Sequence, residues 1–160
     1  MKALKLSLFT IILFIEFIYS HCQVPCGIYE DATRIYQIKE DFNTIKKAMF
    51  NIKELSKKDS PLSLNQATRW INTKEEHATK IQNRISDYFL IQRIKVKKGK
   101  EFDLYSKQIT TLHQIMVLSM KCKQTLDTKN VSDALKQLDT FVDLYFDEHG
   151  KDHIKQIGHH

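Results

Sequence analysis

Apolar residues recur at alternating intervals of three and four between positions 35 and 52 of this chain. These residues are Ile35, Ile38, Phe42, Ile45, Met49 and Ile52. Such intervals place side chains on one side of an α-helix, so the pattern predicts a helix from about Asp31 to Ser56 that buries this stripe. The chain contains only four Gly and two Pro among 160 residues, which favours further long helices.

Three more helices are expected after the first one. The second is predicted from about Leu64 to Lys97 and the third from about Glu101 to Thr128, with a fourth after that. Their apolar faces carry Ala67, Trp70, Ala78, Ile81, Ile85 and Tyr88 or Phe89 in the second; Tyr105, Ile109, Leu112, Met116 and Met120 in the third; and Ala134 or Leu135, Leu138, Phe141 or Val142, and Tyr145 in the fourth.

Four amphipathic helices joined by short loops predict an all-α fold, arranged as an antiparallel up-down four-helix bundle over residues 30–148. The composition, 42% hydrophobic and 28% charged, suits one globular domain. Pro61 separates the first two helices, and Ser60 or Ser63 is expected to cap the second. Asn130 or Ser132 is expected to cap the fourth.

The first twenty residues have the features of a secretory signal peptide. Two lysines precede an apolar run over residues 6–14, and Ser20 is a small residue suited to the position before a cleavage site. The run is shorter than the roughly 20 residues that span a membrane. Glu16 interrupts the apolar stretch, so an uncleaved anchor is the alternative. We expect cleavage after Ser20, export to the periplasm or the cell exterior, and no stable membrane association afterwards.

The charge of the mature chain is mildly basic. Without the leader, which contains Lys2, Lys5 and Glu16, 23 basic and 18 acidic residues remain, a net charge of +5. This charge can steer small anions toward the protein. Nucleic acid is not an expected partner, because "KVKKGK" at 95–100 is a single short basic stretch with no accompanying recognition motif.

The segment "HCQVPCGIY" at 21–29 concentrates metal donors. Cleavage after Ser20 would give His21 a free α-amine with a pKa of about 7.7 to 8.0. The donors are then this amine, the imidazole, the amide nitrogen and thiolate of Cys22, and the thiolate of Cys26. Nitrogen and sulfur donors in adjacent chelate rings favour a square-planar or tetragonal ion, which indicates Ni(II) or Cu(II) rather than Zn(II). The donor pattern leaves nickel and copper equally open.

This segment resembles the nickel hook of the nickel superoxide dismutase family. The matching positions are His21, Cys22, Pro25, Cys26, Gly27 and Tyr29. The segments "TKEEHA" and "SDYF" in the second expected helix are also similar to family members. The resemblance implies a four-helix bundle that disproportionates superoxide into dioxygen and hydrogen peroxide, with one nickel ion per subunit alternating between Ni(III) and Ni(II). It also implies a homohexamer.

The resemblance assigns roles to four residues of the segment. His21 would supply its amine and an axial imidazole, Cys22 its amide nitrogen and thiolate, and Cys26 its thiolate. Tyr29 would order substrate or water near the metal and restrict access to small anions.

The support for the His21 ring departs from the family pattern. In the family, a glutamate on the first helix and an arginine on the second hold the axial imidazole. The first of these positions falls at Tyr36 or Gln37 here, and the second falls at His77. Such partners orient a metal ligand and set its basicity, so these exchanges are not neutral.

Alternatives remain for the cysteines and for the function. Cys22 and Cys26 could form a disulfide in an oxidising compartment. An exported helical bundle that binds nickel or copper through the same terminus without enzymatic activity is the alternative function. Cys122 is expected to be a small buried residue, and His113 a residue of the surface or the edge of the core.

The last residues, 149–160, form a histidine-containing tail. His149 and His153 are four residues apart, a spacing that would let them chelate a metal on one helical turn. Gly150 lies between them and weakens a helix, so we expect a solvated tail. A weak nickel-gathering role for this tail, which ends in His159 and His160, is a hypothesis.

Overall fold

The computed structural model describes residues 30–158, and these form helices with short connections between them. No strand occurs within this range, which confirms the all-α prediction. The leader at 1–20, the donor segment at 21–29, and His159 and His160 lie outside the described residues. Within residues 30–158, no helix combines the length and the apolar character that crossing a membrane requires.

Five α-helices follow one another along the described chain. They are α1 (Asp31–Leu55), α2 (Pro61–Asn83), α3 (Phe102–Gln124), α4 (Lys129–Tyr145) and α5 (Glu148–Ile157). A π-helical segment, Arg84–Arg93, continues α2 directly, and a single 3-10 turn, Gly99–Glu101, precedes α3.

The predicted stripe of α1 is buried over its whole length, as expected. It packs into one core with residues from α2, the π-helical segment, α3 and α4. The largest fully buried side chains are Phe42, Phe89, Phe141, Ile38, Ile45, Met49, Ile81, Ile85, Leu112, Ile115, Leu138 and Val131. Each fully buried side chain of this size contributes about 1.5 to 3 kcal/mol relative to exposure.

Polar contacts show that α1 and α2 run in opposite directions. Asp31, at the start of α1, bonds to Arg93 at the end of the π-helical segment. Asp41, further along α1, bonds to His77, which lies earlier in the chain than Arg93. Positions later in α1 therefore contact positions earlier in α2, so the two helices are antiparallel.

The contacts between α2 and α3 show that these two helices are also antiparallel. The ammonium of Lys74 donates to the carbonyl of Cys122, whereas Gln82, further along α2, donates to the carbonyl of Met116, earlier in α3. These hydrogen bonds align α2 and α3 antiparallel.

The boundaries of α2 differ from the prediction. It begins at Pro61, before the expected start at Leu64, because proline suits the first turn of a helix. The Ser60 hydroxyl accepts a 3.1 Å hydrogen bond from the Ser63 N–H, which makes Ser60 the cap. At the other end the helix was expected to reach Lys97, but helical structure stops at Arg93.

Two details of α3 and α4 also correct the prediction. Met120 was assigned to the apolar face of α3, but it is 41% exposed, and Ser119 and Cys122 are buried instead. Asn130 and Ser132 do not cap α4, which begins after Thr128. The Asp127 carboxylate accepts a 2.9 Å hydrogen bond from the Lys129 N–H at this start.

The tail from residue 149 was expected to be solvated and not helical. Its residues to Ile157 belong to a helix, α5, on which His149 and His153 are exposed as expected. The Asp147 carboxylate caps this helix by accepting a 2.9 Å hydrogen bond from the Gly150 N–H. A side chain at Gly150 would meet the ring of Phe146, its Cβ lying 2.5 Å from Cδ1 of that ring, so glycine permits a close approach. Ile154 packs against the core and anchors the helix.

Candidate functional site

The four predicted site residues, His21, Cys22, Cys26 and Tyr29, lie outside the described residues. The structure describes the chain from Glu30 onward, immediately after the donor segment. The described region that follows this segment directly in the sequence is the start of α1.

Four side chains meet at the start of α1, and we call them the Asp31 cluster: Asp31, Tyr88, Arg93 and Tyr145. One carboxylate oxygen of Asp31, Oδ1, accepts a 2.5 Å hydrogen bond from the Tyr88 hydroxyl. The other, Oδ2, accepts bonds from Arg93 at 2.7 and 3.0 Å and from the Tyr145 hydroxyl at 2.7 Å. Only 14% of the Asp31 side chain is exposed.

The electrostatics of this cluster favour a charged Asp31. Burial by itself would raise the pKa of Asp31, but the hydrogen bonds from Arg93, Tyr88 and Tyr145 outweigh it and hold the pKa below the ordinary 3.8. Burial, followed by the bond to Asp31, raises the pKa of both tyrosines. The carboxylate is thus ionised and both hydroxyls are protonated at neutral pH.

Local structure places each member of the cluster. Asp31 lies in the first turn of α1, where the positive end of the helix dipole favours a carboxylate. Tyr88 and Arg93 belong to the π-helical segment, a geometry that is frequent at functional sites. Tyr145 is the last residue of α4. Arg34, one turn after Asp31, lies over the Tyr88 ring with its guanidinium carbon 5.4 Å from the centroid.

A cavity of about 330 Å³ adjoins the Asp31 cluster. Arg93 and Tyr145 belong to both the cluster and the cavity wall. Its basic lining comes from Arg93, Lys95 and Lys97, with Glu101 as its acidic residue. Arg93 pairs with Asp31 and Lys97 pairs with Glu101, so Lys95 supplies the net positive charge of this lining.

His77 lies in a second polar network, between α1 and α2. Its Nδ1 is 2.6 Å from Oδ1 of Asp41, whose Oδ2 accepts a 2.6 Å bond from Arg84. Asp41 is only 6% exposed. Its bonds to His77 and Arg84 offset the free-energy cost of removing the carboxylate from water. Asp41 follows Asp31 by ten residues of α1, about 15 Å along the helix axis. The structure therefore shows His77 bound to Asp41.

The two alternative first-helix positions have different surroundings. Gln37 accepts a 3.1 Å hydrogen bond from the Arg34 guanidinium. Tyr36 lies beside the end of α5. The Cε2 atom of its ring is 3.5 Å from the point at which a Cβ atom would lie if Gly158 carried a side chain. Gln37 is therefore connected through Arg34 to the Tyr88 ring of the Asp31 cluster, and Tyr36 lines a pocket with α5.

Cys122 and His113 lie in environments that the sequence predicted. Cys122 is fully buried, as expected, and burial raises the pKa of its thiol to about 11, which leaves it protonated at neutral pH. His113 is exposed, which is one of the two predicted environments. Within residues 30–158, no group of three or more His, Cys, Asp or Glu side chains is arranged to hold a metal ion.

The interpretation of the sequence missed the Asp31 cluster and the Asp41 network. Both acidic residues lie on the buried side of α1, although neither belongs to the apolar stripe. A signal was present, because Asp41 directly precedes Phe42 and Asp31 lies one helical turn before Ile35. A carboxylate beside a buried stripe requires cationic or hydrogen-bonding partners, which the fold supplies from distant positions.

Comparison with known protein families matches residues 17–149 to nickel-containing superoxide dismutase. The match covers well over half of the 160 residues and includes both the donor segment and the Asp31 cluster. No curated protein and no solved structure matches the chain significantly.

Proposed function

The chain belongs to the nickel-containing superoxide dismutase family, and from this premise we propose that His21, Cys22 and Cys26 hold its nickel ion. The protein is a nickel-dependent oxidoreductase that converts two superoxide ions and two protons into dioxygen and hydrogen peroxide. The observation that carries the proposal is the coincidence of the family match with the donor segment at 21–29.

The donor set fits nickel. Thiolates from Cys22 and Cys26, with the imidazole and amine of His21, combine soft sulfur and nitrogen ligands of the kind that late first-row divalent ions bind strongly. The third cysteine, Cys122, is buried and protonated, so it does not compete. When bound, nickel supplies a one-electron couple between its divalent and trivalent states.

The residues of the segment divide the remaining tasks. His21 would hold the nickel ion through its α-amine and imidazole, Cys22 would hold it through its thiolate and amide nitrogen, and Cys26 through its thiolate. Tyr29 carries a hydroxyl that can orient a small anion or a water molecule by hydrogen bonding. Two protons are consumed for each peroxide formed, so a hydroxyl that orders water would help to deliver them.

The Asp31 cluster supports this proposal by fixing the chain just after the segment. Asp31 follows Tyr29 by two residues, and it is held by charge-assisted bonds from Arg93 and by two tyrosine hydroxyls. The adjoining cavity, with Lys95 in its lining, would favour the approach of a small anion such as superoxide.

We propose that cleavage after Ser20 creates the active form. Only then does His21 carry a free amine, so maturation and metal binding are chemically linked. The leader supports export to the periplasm or the cell exterior, with superoxide as the small-molecule substrate and no stable membrane association of the mature chain. The family match begins at residue 17, close to the proposed cleavage site.

We also propose that α1 to α4 form an antiparallel up-down bundle and that bundles assemble as a homohexamer. The antiparallel pairs α1/α2 and α2/α3 support the first part. The homohexamer is what the resemblance to the family implies. The large apolar side chains exposed on the single chain, which subunit contacts would cover, are Phe50, Leu62, Leu64, Ile71, Ile91, Val96, Phe102, Leu104 and Met120.

The proposal is tested on protein purified from its exported location. We expect one nickel ion per subunit by metal analysis, superoxide dismutation by the same sample, and loss of both after nickel is removed by a chelator. Spin-resonance spectra should show nitrogen and sulfur ligation of the oxidised metal. Nickel-loaded protein without dismutase activity would contradict the assignment and would favour a metal-binding protein.

A further inference from the structure

We propose that His149 and His153 on α5 form a second metal site, for a divalent ion such as Ni(II), Cu(II) or Zn(II). This site is separate from the donor segment at 21–29 and does not depend on the function proposed for it. Both histidines lie within Glu148–Ile157, one helical turn apart, and both are exposed.

Helix geometry brings the two imidazoles together. Residues four apart on an α-helix have Cβ atoms about 5 to 6 Å apart on the same face. Two histidines at this spacing are the arrangement by which a helix binds zinc in metalloproteases. Two imidazole ligands leave the remaining coordination positions to water, so the predicted affinity is moderate.

Both imidazoles are available as ligands. Among the described residues, neither His149 nor His153 has a hydrogen-bond or ion-pair partner. His77 offers the contrast, because its Nδ1 lies 2.6 Å from the Asp41 carboxylate. The acidic residues of α5, Glu148 and Asp152, pair with Lys151 and Lys155 at 3.1 and 2.9 Å, so the imidazoles themselves would supply the attraction for the metal.

The helix that carries the pair is held in place at three points. Asp147 caps its first turn, Ile154 packs against the core, and Lys151 bonds to Asp143 of α4 at 3.1 Å. A pair on an anchored helix loses less conformational entropy on binding a metal than the same residues on a disordered tail. In a solvated tail, as expected from the sequence, the two histidines would lack this anchoring.

The site lies near the Asp31 cluster. Tyr145 bonds to Asp31, and His149 follows Tyr145 by four residues, which span at most about 14 Å. A metal bound by His149 and His153 would therefore reside near the point at which the donor segment joins α1.

The test titrates NiCl2 into the mature chain, ending at Gly158 and carrying His21→Ala, Cys22→Ser and Cys26→Ser. The truncation removes His159 and His160, and the substitutions remove the side-chain ligands of the predicted hook. Calorimetry should detect a nickel site whose affinity falls about tenfold or more in His149→Ala and in His153→Ala. His113→Ala, which changes an exposed histidine on α3, should leave the affinity unchanged.

A register control separates chelation from histidine content. The double variant His153→Ala, Gln156→His keeps the number of histidines but places them two turns apart, about 10.5 Å along the axis, where they cannot share one ion. It should bind nickel as weakly as His153→Ala. Affinity equal to that of the unaltered pair would overturn the proposal, as would binding that disappears when only His159 and His160 are removed.

A second measurement avoids reliance on the folding of any variant. Substoichiometric Cu(II), added to the nickel-loaded wild-type chain, should broaden the imidazole proton resonances of His149 and His153 before those of His113. Equal broadening of all three signals would also overturn the proposal.

Discussion

The hydroxyl of Tyr145, the last residue of α4, donates a 2.7 Å hydrogen bond to Asp31, the first residue of α1. This contact joins positions 114 residues apart in the chain. Tyr88 and Arg93 bind the same carboxylate from the π-helical segment, so three parts of the chain hold the start of α1. In this nickel-containing superoxide dismutase, the start of α1 that follows the donor segment in sequence is thus fixed by three partners.

Replacing Asp31 with Asn should lower the free energy of unfolding by about 1 to 3 kcal/mol at neutral pH, because charge-assisted hydrogen bonds are lost. The native pKa of Asp31 lies below 3.8, so its contribution is present above about pH 5 and is lost as the pH falls through the native pKa. Urea denaturation from pH 7 to pH 3 should show the wild type and the variant converging at low pH.

The matched control for this experiment is Asp59→Asn, which changes an exposed aspartate between α1 and α2. This variant should stay within about 0.5 kcal/mol of the wild type. A constant difference between wild type and Asp31→Asn down to pH 3 would contradict the ionised cluster.

Lys74 should be a major determinant of stability, because it is 3% exposed and its ammonium donates to the carbonyls of Cys122 and Lys123. Those carbonyls belong to the last turn of α3 and lack partners within that helix. Lys74→Met should lower the free energy of unfolding by about 1.5 to 3 kcal/mol in chemical denaturation.

Lys80→Met is the comparison for Lys74, since Lys80 lies on the same helix and makes a surface ion pair with Glu76. Its effect should be below about 1 kcal/mol. Equal losses in the two variants would show that the buried ammonium makes no special contribution.

His77→Ala should affect the fold more than the metal. Removal of the imidazole takes one partner from the buried Asp41, while Arg84 remains, so we expect a loss of about 1 to 2 kcal/mol in thermal or chemical unfolding. Nickel content and the spin-resonance spectrum should be unchanged. An altered nickel spectrum in folded His77→Ala would instead place His77 in contact with the His21 ring.

His21→Ala should lower the activity and leave the stability of the fold unchanged. The variant keeps the α-amine and both thiolates, so it should retain nickel while losing most of its dismutase turnover. Its free energy of unfolding should equal that of the wild type, because this segment precedes the helices that form the core. Metal analysis, a superoxide assay and urea denaturation on one sample test these three outcomes, and unchanged turnover would remove the imidazole from the proposed mechanism.

Local patterns were sufficient to predict the helices that carry the core. The stripe from Ile35 to Ile52 is buried throughout, because apolar residues spaced by three and four lie on one face of an α-helix, and that face packs into the core. The Ser60 cap was also predictable from the serine and proline at the helix start. The π-helical continuation of α2 over Arg84–Arg93 was not, since π-helices are rare and appear mostly as single turns inside α-helices.

Long-range polar contacts were not predictable in this way. Lys74 is a charged residue on a buried face, and its partners lie 48 and 49 positions away in the sequence. Helix α5 was missed because Gly150 was weighed without its neighbours: Asp147 caps the helix, and the Phe146 ring occupies the space that a side chain would need. The donor segment was predicted from local features alone, and its role as a metal site stays a prediction.

We propose that a processed N-terminus creates the nickel site. Native mass spectrometry of the exported protein, with the dismutase activity of the same sample, tests this proposal. We expect a chain that begins at His21 and carries one nickel ion per subunit, whereas a variant that retains Ser20 before His21 should lose nickel and activity. Full nickel occupancy and activity in a chain that begins before His21 would show that processing is not required.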